Sequence, residues 1–486
     1  MISALLNSKK VPVYKTYING EWKESKSGQT LDIYSPYSRD VIGKVQAVTE
    51  EEVNEAIYFA HEAQKSWREV SLQERAKYLY KWADELVNMQ DEIAEIIMKE
   101  VGKSLKDSGN EVLRTADFIR YTIEEALHMH GESMKGDSFP GGSKSKLAII
   151  ERVPLGVILA IPPFNYPVNL AAAKVAPALM AGNAVIFKPA TQGAISGIKM
   201  IEALHKAELP KGLIHIMTGR GSVIGDYLVE HKGINMISFT GGTNTGTRLA
   251  KKAGMIPLVL ELGGKDPGIV REDADLQEAA KHIISGAFSY SGQRCTAIKR
   301  VLVHENVADE LVRILKEEVE KLSVGSPEDG STVVPLIDDQ SADFVQALID
   351  DALEKGAAVV IGNKREHNLI YPTLLDYVTG EMRVAWEEPF GPVLPIIRVS
   401  SDEEAIQIAN ESEFGLQASI FTKDINKAFA IAGKIETGSV QINGRTERGP
   451  DHFPFIGVKG SGMGAQGIRK SLESMTREKV TVLNLY

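Results

Sequence analysis

The feature that most restricts what this chain can become lies at residues 157–190. There an apolar run, VILAIPPF, precedes PVNLAAAKVAPALMA, Gly182 and a second apolar run, NAVIFKPA. Two strand-length runs around a helical pattern make a βαβ unit, because parallel neighbours need a crossover of a dozen or more residues. Strands apolar at every position, not at alternate ones, belong to a sheet covered on both faces. GLIHIMTG and NMISFTGG repeat the theme, each leading through glycines into a helical segment. The expected class is therefore α/β, with a doubly wound, Rossmann-like first domain.

At 486 residues the chain exceeds one compact core, so a second large domain is expected. LVLELGGKDPGIV starts a further α/β region, which continues through VLVHENV, PIIRVS and SVQINGR with helices between. Ahead of the βαβ unit, residues 17–48 read as short strands and turns, and Asn19-Gly20 suits a two-residue hairpin. Thr49 with Glu52 is a capping-box pattern, and Val53, Ala56, Ile57 and Ala60 form one apolar stripe behind it. Further helices are predicted over 72–101 and 107–130. GDSFPGGSKSK followed by LAIIERVP reads as a projecting hairpin, and SMTREKVTVLNLY as a terminal strand. The expected layout is a cofactor domain from 1–130 and 151–260, a catalytic domain from 261–445, and a small β element for oligomerisation from 131–150 and 474–486.

Apolar residues at 43% and charged residues at 25% are ordinary for a globular protein. A net charge of −10 argues against a general nucleic-acid binder, so any anionic ligand needs a local cationic pocket. There is no apolar run of membrane-spanning length, and MISALLNSKK lacks the order of a signal peptide, which points to the cytoplasm and to no membrane partner. A single cysteine excludes an intrachain disulfide and any multi-thiolate metal site, and no metal is expected.

That cysteine, Cys295 in SGQRCTA, stands beside Arg294, and a nearby cation enriches the nucleophilic thiolate; the alternative is an inert buried thiol. Glu261 interrupts an apolar strand just before Gly263-Gly264, where a carboxylate serves as a desolvated general base or as a structural partner. Asn165 lies in PPFNYP, whose prolines lock a turn that could present its amide to a developing oxyanion or serve geometry alone.

PPFNYP, KPA, FTGG, LELGGK, GQRC and EEPFGPV follow one another in the order of the aldehyde dehydrogenase superfamily, and the resemblance spans essentially the whole chain. It implies that Cys295 is the nucleophile and Glu261 the general base, with the Asn165 side chain and the Cys295 N–H as oxyanion hole. It also implies passage through a thiohemiacetal, hydride transfer to nicotinamide, and hydrolysis of a thioester.

The loop Gly241, Gly242, Thr243, Asn244, Thr245, Gly246 follows a strand and opens a helix, so its N–H groups can face a pyrophosphate. TGRGSVIG has one residue too many for the dinucleotide fingerprint and reads as a turn and helix start; the resemblance makes Gly225 and Asp226 adenine-side contacts. Lys188 ends the second strand, where such folds hold the adenosine ribose. NAD-preferring relatives often carry Glu three residues on, where this chain has Thr191. A neutral hydroxyl and an ammonium favour NADP, although Lys188 could serve either cofactor. By resemblance Pro162 also lines the cofactor site, Glu388 holds the nicotinamide-side ribose and Phe390 packs on the nicotinamide.

The branch resembled most is that of the non-phosphorylating glyceraldehyde-3-phosphate dehydrogenases. It implies a phosphorylated aldehyde bound by Arg114, Asn165, Tyr166, Arg294, Thr296 and Arg448, with Arg445 a rival to Arg448 and a homotetramer as the assembly. A semialdehyde carboxylate could use the same arginines. A cysteine hydrolase would need a His paired with Cys295, and none lies near the motif.

Overall fold

The structure, a computed structural model, describes residues 11–485. The expectation about MISALLNSKK falls on residues 1–10, outside the described residues. The βαβ unit forms as read: Val157–Ile161, the helix Asn169–Met180 and Ala184–Phe187, with the two strands parallel. They sit at the centre of an eight-stranded sheet. Its order across is Gly462–Met463, Leu258–Glu261, Met236–Thr240, Val157–Ile161, Ala184–Phe187, Ile214–Ile216, Thr16–Ile18 and Glu21–Lys23. The five central strands are parallel, and the flanking ones run antiparallel to the strands they join. Helices cover both faces, which is why Val157–Leu159 and Ala184–Phe187 are fully buried.

The chain leaves Val157–Ile161 toward Ala184–Phe187 on one side and later returns as Met236–Thr240 on the other. The carboxyl ends of these strands are therefore a topological switch point, where a doubly wound sheet opens a crevice for ligands.

The segment LVLELGGKDPGIV does not open the second region as one unit. Leu258–Glu261 completes the first sheet, and only Pro267–Val270 enters the second, so Gly263-Gly264 is the crossing point. The second sheet has seven strands, all parallel except the edge strand Ala358–Ile361. The chain then returns, and Gly462–Met463 pairs with Leu258–Glu261 beside the site.

The capping box at Thr49 and Glu52 is present. The helix predicted over 72–101 is two helices, Leu72–Asn88 and Gln90–Val101. Met89 turns its backbone out of helical geometry (φ −98°, ψ 11°) while its side chain stays buried, a break that apolar periodicity does not signal. Glu132–Lys135, Lys146–Pro154 and Thr476–Asn484 form a separate three-stranded sheet with exposed apolar side chains. No helix among the described residues is long and apolar enough to cross a membrane.

Candidate active site

Two cavities meet at Cys295. The larger, about 570 Å³, opens at the switch point, and the smaller, about 130 Å³, lies deeper; Leu170, Thr240 and Cys295 line both.

The larger is walled by the carboxyl ends of the first-sheet strands. Pro162 and Asn165 follow the first strand, Lys188 and Thr191 the second, and Gly241, Gly242 and Thr245 the strand Met236–Thr240. Gly225 ends a wide helical turn, Gly221–Gly225, and Asp226 opens the helix Asp226–Glu230 that follows it. The segment read as a turn and helix start, with Gly225 and Asp226 as adenine-side candidates, forms part of this wall. Thr243 and Gly246 do not face the cavity. The Thr243 hydroxyl donates to the Gly460 carbonyl and accepts from the Gly263 N–H, while a Cβ at Gly246 would meet Leu262 at 2.3 Å. Both brace the loop from behind.

Glu388 and Phe390 close the inner end. Phe390 is held at φ 47° with its ring edge-on to Phe164, and a Cβ at Gly263 would lie 2.2 Å from the Glu388 carboxylate and push it from its place. The cavity suits a dinucleotide. Gly225 and Gly242 both line it, and a Cβ on either would touch no protein atom, so backbone is open to a ligand there. Lys188 is buried at 5% exposure with only the Pro189 carbonyl at 3.3 Å, and burial pushes its ammonium down to about 8. A 2′-phosphate is the kind of partner such a cation needs.

The smaller cavity is lined by Arg114, Tyr166, Glu261, Arg294, Cys295, Thr296, Arg445, Glu447 and Arg448, among others. Four arginines come together there, but they are not equivalent. Arg114 makes a two-pronged bond to Asp451 at 2.9 and 3.0 Å. Arg445 is taken up by Glu447 at 2.8 and 2.9 Å, whereas Arg448 is 3.9 Å from Asp451, donates to Gln466 and lies over the Phe455 ring. Arg294 is buried and donates to the Gly286 carbonyl, with no hydrogen-bond partner for its Nε. Arg445 and Arg448 both reach the cavity, and Arg448 is the one without a close carboxylate.

Glu261, at the end of its strand, is 3% exposed and neither carboxyl oxygen has a hydrogen-bond partner within the protein. Leaving a buried polar group unmet costs about 1–3 kcal/mol, which a structural carboxylate would have no reason to bear. Burial pushes it up to about 8, against the pull of Arg448 and Lys174.

Cys295 follows a tight loop in which Tyr290 and Ser291 have φ of 51° and 56°, pinned where the Ser291 hydroxyl bonds both N–H and carbonyl of Val334. The Asn165 Nδ2 donates to the Gln293 carbonyl at 2.9 Å, which fixes the amide beside the thiol and leaves its second hydrogen for another acceptor. The thiol is partly exposed to the cavities, yet burial raises it to about 11. The largest cationic pulls on the thiol come from Lys299 and Arg448. Arg294 couples to it as well, with one nitrogen on the Gly286 carbonyl and its Nε without a hydrogen-bond partner.

Sequence reasoning missed Lys174 and Lys299. Lys174 is a lone cation in an apolar helix, fully buried, donating to the Thr240 hydroxyl at 2.7 Å and pushed down to about 7 by burial. That isolation within AAAKVAPALM was a readable signal. Ser341, Phe344 and Arg248 also line the larger cavity without any local signature.

The aldehyde dehydrogenase family profile matches residues 22–481. An NADP-dependent glyceraldehyde-3-phosphate dehydrogenase of Streptococcus equinus is 53% identical over 472 residues, 97% of this chain and 99% of that protein. The enzyme of that name from Pisum sativum is 54% identical over 475 residues, 97% and 96% of the two chains. A crystal structure of NADP-dependent glyceraldehyde-3-phosphate dehydrogenase from Bacillus halodurans C-125 complexed with NADP is similar at a TM-score of 0.96. It is 62% identical and covers 97% of this chain and 99% of that one.

Proposed function

The chain belongs to the aldehyde dehydrogenase family, and from that premise we propose that it oxidises glyceraldehyde 3-phosphate to 3-phosphoglycerate with NADP and without inorganic phosphate. The observation that carries this reading is the meeting, at the thiol of Cys295, of a dinucleotide-sized crevice and a small chamber dense in arginine.

Lys188 and Thr191 would hold the 2′-phosphate, Gly241 and Gly242 the pyrophosphate, Gly225 and Asp226 the adenine side, and Glu388 and Phe390 the nicotinamide end. When bound, NADP supplies the oxidised nicotinamide that accepts a hydride. Arg448 and Arg294, with Arg114 and Tyr166 beside them, hold the substrate phosphate, and Thr296 lines the space between. The Cys295 thiol releases its proton to water, the thiolate adds to the aldehyde carbon, and the oxyanion takes hydrogen bonds from the Asn165 amide and the Cys295 N–H. Once the thiohemiacetal carbon has lost its hydride, a thioester remains on Cys295. Glu261 then takes a proton from water as the water attacks, and the thiolate leaves with 3-phosphoglycerate formed. Water as second nucleophile is what makes inorganic phosphate unnecessary.

The expected boundaries of 150 and 260 shift, because the strand Lys146–Pro154 runs past 150 and Glu261 pairs within the first sheet; we read the region of the first sheet as the cofactor domain and that of the second sheet, from Lys265 to about 445, as the catalytic domain. The separate sheet of Glu132–Lys135, Lys146–Pro154 and Thr476–Asn484 is read as the assembly element of a cytoplasmic homotetramer, supported by exposed Met134, Val480 and Val482. The test is an aldehyde panel followed by NADPH absorbance in phosphate-free buffer. Glyceraldehyde 3-phosphate should exceed glyceraldehyde by about a hundredfold or more in kcat/KM, since a buried charge contact is worth about 2–5 kcal/mol. Equal rates on the two, or preference for a semialdehyde carboxylate, would overturn the substrate.

A further inference from the structure

One ammonium touches both the peptide of Cys295 and a side chain that lines the larger cavity. Lys299 immediately precedes the strand Arg300–His304, and its side chain is 2% exposed. Its Nζ donates both to the backbone carbonyl of Cys295 and to Glu388 Oε1, the latter at 2.8 Å. Glu388 Oε1 also accepts the Gly264 N–H at 3.1 Å, so the carboxylate is fixed from two directions. The Lys299 backbone N–H is itself held by the Asp266 carbonyl at 2.9 Å.

We propose that Lys299 is a positioning residue that couples the cofactor seat to the nucleophile, by holding the Glu388 carboxylate against the larger cavity and the Cys295 peptide with the same ammonium. The inference rests on the reading of Glu388 as a cofactor contact.

Three observations favour this over a merely structural ion pair. Glu388 is 16% exposed and lines the larger cavity, so the pair is open to a ligand on one side only. Two bonds to different segments fix the ammonium, whereas a lysine in a simple pair keeps rotamer freedom. The charges around it also leave it as the near cation. Lys265 is fully buried with no partner and driven well down in pKa by burial, and Arg300 points its guanidinium at the carbonyls of Lys265, Ala385, Ile408 and Ala409. Facing the thiol are Lys299 and Arg448, which favour the thiolate, and Asp266 and Glu388, which oppose it. Arg294 and Glu261 share its chamber.

The lone cysteine makes the test clean, because iodoacetamide labelling read by mass spectrometry of the Cys295 peptide reports a single thiol. Lys299→Met should raise the pH midpoint of labelling by about one unit and weaken NADP binding, read by protein fluorescence, about tenfold, with KM for glyceraldehyde 3-phosphate little changed. Lys299→Gln keeps a donor for the Cys295 carbonyl but no charge; it should show the same labelling shift and guards against misfolding of the methionine variant. Glu388→Gln combined with Lys299→Met should bind NADP no more weakly than Glu388→Gln alone, because both act through one carboxylate. Additive losses, or an unmoved labelling profile in both Lys299 variants, overturn the coupling. If Glu388→Gln binds NADP normally, the cofactor reading of Glu388 falls and the coupling with it. If Glu388→Gln weakens NADP and Lys299→Met does not, the coupling alone falls.

Discussion

The two cavities that share Cys295 are built on opposite principles. The larger is made by topology: strand ends, a helix start and glycines present backbone at a switch point, and side-chain charge enters mainly through Lys188, Asp226, Arg248 and Glu388. The smaller is made by side-chain charge, drawn from Arg114 on one helix, Glu261 at a strand end, Arg294 in the thiol loop, and Arg445 and Arg448 in a late loop. A cavity of backbone tolerates change at any one side chain, whereas a chamber of charges depends on which charges are already neutralised.

The hardest test of the shared wall is the thiol. Cys295→Ser should lower kcat/KM on the order of 10⁴-fold or more while leaving NADP binding intact, since an alkoxide is far harder to form than a thiolate. Near-normal turnover, or the absence of a substrate-derived thioester on Cys295 by rapid-quench mass spectrometry, would separate the two cavities from any common chemistry.

Next comes the base. Glu261→Gln should keep a rapid burst of NADPH but cut steady turnover by about 10²–10⁴-fold. The group works only when deprotonated and burial holds it at about 8, so the wild-type thioester-hydrolysis rate should rise with pH through about 8 and fall away below it. Stability runs the other way. A carboxyl raised by burial contributes most to the fold when protonated, and that contribution is lost as pH climbs from the ordinary carboxyl range through about 8. Glu261→Gln should therefore melt no lower than wild type at pH 8, and a lower melting temperature would argue that the carboxylate is structural.

Legibility followed the same division. The topological cavity could be read because its makers are local: VILAIPPF and NAVIFKPA declare buried parallel strands, and FTGG declares a strand running into a helix. Even there, local reading placed Thr243 and Gly246 at the ligand when they pack behind the loop, because both lie, at i and i+3, on the face of the helix Thr243–Lys252 that is turned from the cavity. In the chamber, Cys295, Glu261 and Asn165 stood out as polar residues in rigid or apolar frames. The electrostatics did not, because they depend on long-range partners. Arg294, adjacent to Cys295 in sequence, gives one nitrogen to the Gly286 carbonyl, while Lys299, four residues beyond Cys295, bonds the Cys295 carbonyl. The split at Met89 was equally hidden, since both helices keep one apolar stripe across the break.

A charge change in each cavity then sharpens the contrast. Arg448→Ala should raise KM for glyceraldehyde 3-phosphate at least about thirtyfold with a smaller change in kcat, because loss of a buried phosphate contact costs about 2 kcal/mol or more. In the larger cavity, Thr191→Glu should weaken NADP about tenfold while sparing NAD, since a carboxylate would face the 2′-phosphate but only hydroxyls in NAD. Equal weakening of both cofactors, measured by titration, would place the 2′-phosphate elsewhere.

The smallest effect is the most discriminating, because it separates two arginines only three residues apart in the same loop. Arg445 and Arg448 both line the chamber, and their spacing in INGRTERGP gives no reason to prefer either. Their partners do. Arg445 is 38% exposed and holds Glu447 through two nitrogens, so its charge is largely answered before any substrate arrives. A phosphate drawn to it would have to compete with a carboxylate already at 2.8 Å. Arg448 is 14% exposed, 3.9 Å from its nearest carboxylate and seated on Phe455, so its field is still available. Exposed ion pairs contribute about 0–1 kcal/mol, so Arg445→Ala should change kcat/KM by no more than about fivefold. The ratio of the two alanine effects, taken under one set of conditions, should thus favour Arg448 by about tenfold or more. If Arg445→Ala proves the more damaging, the Glu447 pair must open to admit substrate, and Glu447→Gln would then tighten phosphate binding by freeing that guanidinium.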